Sequence, residues 1–393
     1  MEKNVINVTN KLKQKTIINE LKNIDWSSSS KSPYIVEFDP TTKCNLACPD
    51  CISGELLNQD EFSNDRVLEL TQEMIDAGVK GVILIGGGEP MAHPKIGEVI
   101  NLLGQNNVAI GITTNGLYLK KHLESITKYV SWIRVSMDAA SPEVFQSIRP
   151  SRTGDSMFDL VIENMKSFSK NKRKDQILGY SFMVYSKGDY GFKGVPLQND
   201  KAVIKIATAK DLYTTNADEI YKAAIIAKEI GCAYLEIKPM YDSNHFSVMQ
   251  KQIISDLVEE QIEKAKTLED ENFKIIEATK LRSSLRGEGN YEPKKYTRCA
   301  VSQLRTLVTP SGVYVCPYFR GVDHKKIGDV NNQSFIEMWH GEKRRNIMNK
   351  LDPSIDCPMH CIRNDSNIFI EENLNNNFNI DSTEIVEDYD RFI

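Results

Sequence analysis

Three cysteines near the start of the chain have the residue type and spacing of an iron-sulfur cluster site. Cys44, Cys48 and Cys51 occur as CxxxCxxC in the run TKCNLACPDC, residues 42–51. Three thiolates can bind three irons of a [4Fe-4S] cube and leave the fourth iron with an open coordination position. A reactive cluster needs such a position. Zinc is the alternative, although a zinc site usually has four protein ligands.

A glycine-rich segment, Gly86-Gly87-Gly88-Glu89, follows an apolar run that is typical of a strand. Glycines lack a Cβ atom, so backbone carbonyls there can approach a bound ligand closely. A simple turn would also explain the glycines. The carboxyl ends of parallel strands are where open sheets and barrels bind ligands, and this position favours a ligand site.

Short β-rich runs alternate with amphipathic helices from Tyr34 onward, as expected for parallel strands joined by crossover helices. Apolar residues recur at helical spacing in three of the intervening segments. The run at 82–85 is apolar on both faces, which is typical of a strand covered on both sides. The predicted strands are 34–38, 82–85, 108–112, 132–137, 179–184 and 234–237.

The pattern therefore predicts an α/β fold in which a partial (β/α)6 TIM-like barrel precedes a small α+β cysteine-rich domain. Residues 186–215 interrupt the rhythm and are predicted to form an inserted hairpin or loop. The predicted organisation is an N-terminal helical tether (1–33), the barrel (34–240), a helical linker (241–290), the cysteine-rich domain (291–364) and an acidic C-terminal tail (365–393).

The composition is that of an ordinary globular protein, with 40% hydrophobic and 26% charged residues among 393. A net charge of −5 argues against general nucleic-acid binding. There is neither a secretory signal nor an apolar run long enough to span a membrane, so we expect a cytoplasmic protein. In that compartment the clustering of most of the eight cysteines indicates metal binding rather than disulfides.

The cysteine run and the glycine segment together resemble the radical S-adenosylmethionine (SAM) superfamily. This resemblance implies that SAM chelates the open iron and that residues 86–89 contact it. Later strand ends would supply further contacts, with Ser136 and Asp138 as ribose ligands and Arg149 pairing with the SAM carboxylate; a solvated Arg149 is the alternative. The implied SAM contacts are Gly86, Gly87, Gly88, Glu89, Asn115, Ser136, Asp138 and Arg149.

Two residues near these motifs qualify the resemblance. Many members of the superfamily have an aromatic residue before the third cysteine that lies against adenine, whereas this chain has Asp50. Adenine must then be held by another residue. His93 follows the glycine segment, and we interpret it as structural rather than catalytic.

A second set of cysteines, at 299, 316, 357 and 361, can close another [4Fe-4S] cluster completely. The turn residues between 307–308 and 313–315 predict a hairpin that places Cys316 at a strand end. The set resembles the twitch domain, the shorter relative of the SPASM domain, which carries two clusters on seven cysteines. Only Cys232 remains here, and it is predicted to be a buried structural thiol. Zinc bound by the four sulfurs is the alternative.

The resemblance implies an enzyme that reductively cleaves SAM to a 5′-deoxyadenosyl radical, which then removes a hydrogen atom from the substrate. A fully ligated auxiliary cluster favours net oxidation or redox-assisted rearrangement, and a flavodoxin- or ferredoxin-type protein would donate the electron. For acid-base catalysis on the inner barrel face the candidates are Lys238, Glu236 and Tyr180, although such groups can simply satisfy one another.

Three functions compete. The first is action on a small molecule, namely a sugar, an aminocyclitol or a nucleotide-linked compound; residues 1–33 are too short for a peptide-recognition domain, which favours this choice. The second is modification of a ribosomal peptide or protein by crosslinking or epimerisation. The third is a non-catalytic role in electron transfer or redox sensing.

Overall fold

The computed structural model describes residues 8–24, 31–187, 214–240, 252–278, 281–285, 294–357, 361–374, 376–384 and 391–393. Ten of the strands form one sheet, and two short ones pair with each other. The strands are β1 (Ile35–Phe38), β2 (Gly81–Leu84), β3 (Ala109–Thr114), β4 (Trp132–Ser136), β5 (Ile177–Val184), β6 (Ser186–Lys187), β7 (Thr214–Thr215), β8 (Tyr234–Pro239), β9 (Lys274–Glu277), β10 (Arg305–Thr309), β11 (Gly312–Tyr314) and β12 (Lys326–Gly328).

The sheet has the order β12-β11-β10-β1-β2-β3-β4-β5-β8-β9. All neighbours from β10 to β9 are parallel, and β11 and β12 are antiparallel additions at the β10 edge. The six predicted barrel strands are confirmed. Parallel neighbours align their carboxyl ends at one rim, which is why the polar residues after these strands meet there.

Helices cover the outer face of the sheet. Apolar side chains that alternate along the strands, such as Val82, Leu84 and Ile112, pack with them in the main core. The helices are α1 (Val8–Lys11), α2 (Lys15–Asn23), α3 (Asn64–Asp76), α4 (Ile96–Gln105), α5 (Leu123–Tyr129), α6 (Pro142–Ile148), α7 (Phe158–Asn171), α8 (Ile220–Ile230), α9 (Gln252–Lys266), α10 (Leu281–Leu285), α11 (Phe335–Trp339), α12 (Glu342–Lys350), α13 (Pro353–Asp356) and α14 (Asn364–Leu374).

The inner face is closed at the amino ends of the strands by a second apolar cluster. Ile35, Ile83 and Ile177 pack there against Leu21 of α2, with residues from the end of the chain such as Phe392. Two strand positions are glycine because rings occupy their space: a Cβ on Gly111 would lie 2.2 Å from the Trp132 ring, and one on Gly179 would lie 2.2 Å from the Tyr234 ring. Aromatic rings therefore form the floor of the barrel interior.

The segment predicted to be a helical linker contains a strand. Residues Lys274–Glu277 form β9, which pairs in parallel with β8 and extends the barrel. The prediction is wrong at this point because charged residues at both ends of the strand hide its apolar pair, Ile275 and Ile276. Helices α9 and α10 flank it, as the charged amphipathic pattern predicts.

The cysteine-rich region joins the same sheet. The predicted hairpin is confirmed as β10 and β11, and β10 pairs with β1 of the barrel. Of the predicted insertion at 186–215, the ends pair as β6 and β7, while 188–213 lie outside the described residues. The serines at 27–30, within the predicted N-terminal tether, also lie outside the described residues. The predicted acidic tail begins within α14, and its residues Glu387 and Asp388 are outside the described residues as well.

No helix in the described part of the chain is both long enough and apolar enough to cross a membrane.

Candidate functional site

The first cysteine loop begins directly after β1 and is shaped by polar side chains. The Thr42 hydroxyl accepts hydrogen bonds from the backbone nitrogens of Gln59 (3.0 Å) and Asp60 (2.8 Å). The side-chain oxygen of Asn58 accepts one from the Cys44 nitrogen at 3.1 Å. These bonds hold the returning segment beside the cysteines, so the loop has a defined shape before any cluster binds.

The glycine segment packs on the backbone of this loop. A Cβ on Gly88 would lie 2.4 Å from backbone atoms of Thr42 and Lys43, and one on Gly86 would lie 1.8 Å from the Gly88 oxygen. The Glu89 nitrogen donates a hydrogen bond to the Lys43 oxygen at 2.8 Å. Because backbone cannot move aside easily, only glycine fits at 86 and 88, and the two motifs form a single rim.

The Glu89 carboxylate lies inside the rim, where it links two strand ends. It accepts hydrogen bonds from the Thr114 hydroxyl (2.7 Å) and from the backbone nitrogens of Asn115 (2.7 Å) and Met91 (3.0 Å). Burial raises the pKa of Glu89 above its usual value, although these bonds oppose the shift. Its direct contact with SAM stays a prediction, while its bonds clearly organise the rim.

Asn115 connects the end of β3 to the cysteine loop. Its side-chain amide donates to the Asn45 side-chain oxygen at 2.7 Å and lies 4.0 Å from the Cys44 sulfur. Ser136, at the end of β4, is partly exposed next to this position. His93 is fully buried with Nε2 2.9 Å from the Phe62 oxygen, in agreement with a structural role.

Two predicted SAM contacts, Asp138 and Arg149, form an ion pair with each other. Arg149 Nε donates to Asp138 Oδ2 at 2.7 Å, with a second bond from Nη2. The other oxygen of Asp138 accepts from the Met183 nitrogen at 2.7 Å. Burial opposes the charge on Arg149, but Asp138 and the Cys48 thiol outweigh it and raise the pKa of Arg149. The contacts of both side chains with SAM stay predictions, and the ion pair fixes the position of each at the rim.

The same segment braces the cysteine loop. Leu46 forms an isolated antiparallel bridge with Ser151, and the Ala47 nitrogen donates to the Pro150 oxygen at 2.8 Å. Arg149 is thereby held beside Cys48. A cation at this place would stabilise the negative charge of a thiolate-ligated cluster.

One site residue was missed by the sequence analysis. The Tyr185 hydroxyl, just after β5, donates to Asp50 Oδ2 at 2.7 Å. Asp50 is the residue found where many members of the superfamily have an aromatic side chain, and the bond brings a buried ring to that neighbourhood. The available signal was a tyrosine directly after a predicted strand end, but only the fold shows that it reaches the loop.

The thiols of the first loop suit an iron-sulfur cluster. Burial raises the pKa of Cys44 to about 11, with smaller contributions from Glu89 and from Cys48 and Cys51. Thiolates are the ligands of such clusters, and a bound cationic cluster would reverse this shift. The CxxxCxxC spacing keeps the three thiols in one loop, where each could bind a different iron of a cube.

The four C-terminal cysteines also converge. The pKa of Cys357 is raised to about 12 and that of Cys361 to about 11, by burial first and then by nearby thiols including Cys299. The same causes raise the pKa of Cys316. Hydrogen-bond donors face two of the sulfurs: the Asn367 amide lies 3.7 Å from Cys299, and the Arg363 nitrogen lies 3.4 Å from Cys361. Such a set fits a fully ligated cluster. Cys232 is separate and buried in the main core.

Polar residues project from the strands into the barrel below the rim. Arg134 Nη1 of β4 donates to Glu236 Oε2 of β8 at 3.1 Å, and Lys238 Nζ lies 3.9 Å from the same oxygen. The predicted candidates Lys238 and Glu236 are thus together. Burial raises the pKa of Glu236, but Arg134 and Lys238 outweigh it, so the pKa falls below its usual value.

Tyr180 lies on the opposite face of the sheet. Its ring is fully buried in the main core, and its hydroxyl donates to the Ala139 oxygen. Burial raises the pKa of Tyr180 well above its usual value. The structure therefore removes Tyr180 from the candidates for acid-base catalysis, because side chains alternate between the two faces and Ser181, not Tyr180, faces the interior.

Two family models match the chain. Residues 38–189 match the radical SAM superfamily, and residues 299–362 match an iron-sulfur cluster-binding domain named SPASM. The first covers the cysteine loop and the rim, and the second contains all four C-terminal cluster cysteines.

Curated relatives are similar over about a third of this chain. Mycofactocin maturase MftC from Mycobacterium tuberculosis is 27% identical over 142 residues, which are 35% of this chain and 35% of that protein. GTP 3′,8-cyclase from Staphylococcus saprophyticus is 36% identical over 119 residues, 28% of this chain and 35% of that protein. The alignments span about a third of the length of these relatives.

Solved structures share the fold over most of the chain. Streptococcus suis SuiB bound to its precursor peptide SuiA has a TM-score of 0.57 at 14% identity, covering 81% of this chain and 67% of that one. The enzyme anSMEcpe with bound SAM and a peptide has a TM-score of 0.53 at 15% identity, covering 88% and 98%. The region that matches the SPASM model has four cysteines, which suffice for one auxiliary cluster. With the site geometry and both family models in agreement, this chain belongs to the radical SAM superfamily and has a C-terminal SPASM domain, so that two [4Fe-4S] clusters in all, one in each matched region, and SAM are its cofactors.

Proposed function

We propose that this protein removes a hydrogen atom from a polar small molecule, namely a sugar, an aminocyclitol or a nucleotide-linked compound, and oxidises it. One observation carries the proposal: the barrel interior below the SAM rim has a charged wall above an aromatic floor. Arg134, Glu236 and Lys238 form the wall, and the rings of Trp132 and Tyr234 form the floor. Aromatic faces with hydrogen-bonding groups beside them suit a hydroxylated ring, which is apolar on its faces and polar at its edge.

The residues at the rim would bind and orient the cofactors. Cys44, Cys48 and Cys51 would hold the first cluster, and the glycine segment would allow SAM to approach its backbone. When bound, this cluster and SAM supply a 5′-deoxyadenosyl radical, which takes the hydrogen atom. The apolar floor and the closed amino end of the barrel exclude water from the radical.

Net oxidation also requires that the substrate radical lose one electron and one proton. Cys299, Cys316, Cys357 and Cys361 would hold the auxiliary cluster, which supplies an acceptor for the electron. Glu236 and Lys238 are the candidates to exchange the proton with the substrate, because both reach the interior and are hydrogen-bonding groups near the rim. A flavodoxin- or ferredoxin-type protein is the proposed donor of the electron that initiates turnover.

A peptide substrate is the second candidate, favoured by the comparisons. SuiB and anSMEcpe share the fold and were solved with peptides, and MftC is a maturase. In that case the interior would receive one side chain of a peptide rather than a whole small molecule. GTP 3′,8-cyclase is a relative of comparable similarity, and its name indicates a nucleotide substrate rather than a peptide. The relatives therefore support both substrate classes, small molecules and peptides.

Deuterium transfer distinguishes the candidates. The full chain, reconstituted anaerobically with iron and sulfide, is incubated with dithionite, SAM and extract from cells grown in deuterated medium. We expect deuterium in 5′-deoxyadenosine, and we expect the signal to survive prior digestion of the extract with protease.

Loss of the deuterium signal after protease treatment would instead show that the substrate is a peptide or protein. Absence of any 5′-deoxyadenosine, with both clusters present by iron and sulfide content, would contradict both enzymatic candidates and support a non-catalytic role. Cys232→Ala is the matched control for cysteine substitutions, because Cys232 belongs to neither cluster set and lies in the main core.

A further inference from the structure

The interior wall contains more hydrogen-bond donors than acceptors. Lys238 has one recorded polar contact within the described part of the chain, its 3.9 Å approach to Glu236, which is too long for a hydrogen bond. Its side chain is 30% exposed toward the interior. An ammonium has three N–H donors, so Lys238 is open to a ligand.

Arg134 has a donor without an acceptor as well. Its two terminal nitrogens contact Glu236 (3.1 Å) and the Thr113 hydroxyl (3.5 Å). Its Nε atom is buried and has no hydrogen-bond partner among the described residues. A buried N–H without a partner is costly, which indicates that something absent from the free protein accepts a bond there.

Ser181 completes the group. Ser181 is on β5, between the strands of Arg134 and Lys238, and its buried hydroxyl has no hydrogen-bond partner in the part of the chain that the structure describes. In the register of the sheet, Ser181 of β5 pairs with Glu236 of β8. Gly179, two residues before Ser181, pairs with Arg134 of β4. The three unsatisfied groups therefore occupy neighbouring positions on one face: Ser181 is level with Glu236, Arg134 lies two residues toward the amino ends of the strands, and Lys238 lies two residues toward the rim.

The charges at this position do not balance. Arg134 and Lys238 carry basic groups, and within the described ranges of the chain Glu236 is the one carboxylate that both contact. The nearby acid Asp138 is already paired with Arg149, and Glu37 is paired with Arg305. One positive charge and several free donors are left, which is the complement of a single oxyanion.

We infer that the substrate of the proposed reaction carries a carboxylate or phosphate group, and that Lys238, Arg134 Nε and Ser181 bind it. This inference rests on the proposed function and narrows its substrate class to acidic small molecules. It also divides the roles of the two candidates: Lys238 binds in its protonated form, and Glu236 exchanges the proton. The anionic group would anchor the substrate one to two residues below the rim, with its reactive carbon toward SAM.

Thermal unfolding of the reconstituted full chain with SAM tests the site without turnover. Inorganic phosphate and acetate are the probes, with chloride at equal ionic strength as the reference. We expect phosphate or acetate to raise the Tm of the wild type and of Lys166→Met, an exposed control on α7, more than chloride does. Lys238→Met and Ser181→Ala should abolish this difference. An equal response in Lys238→Met and wild type would overturn the inference.

The same variants separate a binding role from a structural one. Without a probe, Lys238→Met and Ser181→Ala should keep or raise the Tm, because neither side chain makes a hydrogen bond within the described part of the free protein. A clear fall in Tm for both would mean that these groups stabilise the fold, and it would overturn the assignment.

Fractionation of the deuterated extract tests the substrate class. Deuterium-donating activity should bind to an anion exchanger at neutral pH, and Lys238→Met should raise KM for this material about 10-fold or more, whereas the exposed control Lys166→Met should leave KM unchanged. Loss of activity after phosphatase treatment assigns a phosphate, and its survival assigns a carboxylate. Activity confined to uncharged or cationic fractions would refute the inference and leave the proposed function standing. Activity confined to protease-sensitive material would refute the proposed function instead.

Discussion

Arg320 donates two hydrogen bonds to Asp39, from Nε to Oδ2 at 2.6 Å and from Nη2 to Oδ1 at 3.2 Å. The two residues are 281 positions apart; Asp39 is buried, and the Arg320 side chain is 11% exposed. Asp39 directly follows β1, and Arg320 follows the segment of Cys316. A Cβ on Gly87 would lie 3.3 Å from Asp39 Oδ2, so the pair packs against the glycine segment. The Asp39–Arg320 ion pair therefore connects the rim beside the first proposed cluster to the segment that carries Cys316 of the second.

Removing one partner of this pair should be costly. Arg320→Met would leave the Asp39 carboxylate buried without its cation, and burial already raises the pKa of Asp39. We expect a loss of about 3–5 kcal/mol of stability, measured as a fall in Tm. Lys120→Met, which breaks an ion pair exposed on both sides, is the control and should change the Tm little. If the double variant Asp39→Asn/Arg320→Met were no more stable than Arg320→Met, the uncompensated charge would not be the cause.

The two cysteine sets should differ in their effect on SAM. Alanine at Cys44, Cys48 or Cys51 should abolish SAM cleavage, because the open iron is lost. Alanine at Cys316 or Cys357 should leave some uncoupled cleavage to 5′-deoxyadenosine while stopping product formation. Iron content should fall by about four atoms per chain in either case and stay unchanged in Cys232→Ala. Equal loss of SAM cleavage in both sets would contradict separate roles.

Adding a side-chain methyl group at Gly179 should displace a ring of the aromatic floor. Gly179→Ala would place a Cβ 2.2 Å from the Tyr234 ring, which must then move toward the interior wall. We expect a loss of about 1–3 kcal/mol of stability and a weaker affinity for substrate. Gly54→Ala is the matched control because its Cβ would meet open space. An unchanged Tm for Gly179→Ala would show that the ring can move freely.

The bond between Tyr185 and Asp50 should stabilise the cysteine loop. Tyr185→Phe removes the 2.7 Å hydrogen bond and keeps the ring, so we expect a loss of about 0.5–1.5 kcal/mol, seen in Tm, together with faster loss of the first cluster in air. Adding Asp50→Ala to Tyr185→Phe should cause little further loss, because the two residues act as a pair. Fully additive effects would show that they act independently.

Local patterns in the sequence were sufficient for several conclusions. The CxxxCxxC spacing lies within one loop, and six parallel strands follow from apolar runs that alternate with amphipathic helices, so neither needs knowledge of distant contacts. The glycines at 86 and 88 also have a local meaning, although the reason that only glycine fits is contact with the backbone of Thr42 and Lys43. The hairpin before Cys316 follows from its turn residues.

Tertiary structure alone decided which side chains meet. A shift of one residue moves a strand side chain to the other face, which is why Tyr180 was placed in the interior although it lies in the core. The pairs Asp138–Arg149, Asp39–Arg320 and Asp50–Tyr185, and the adjacency of Lys238, Arg134 and Ser181, depend on sheet order and register. Such contacts join residues far apart in the chain, and their energies depend on burial, which composition and spacing do not reveal.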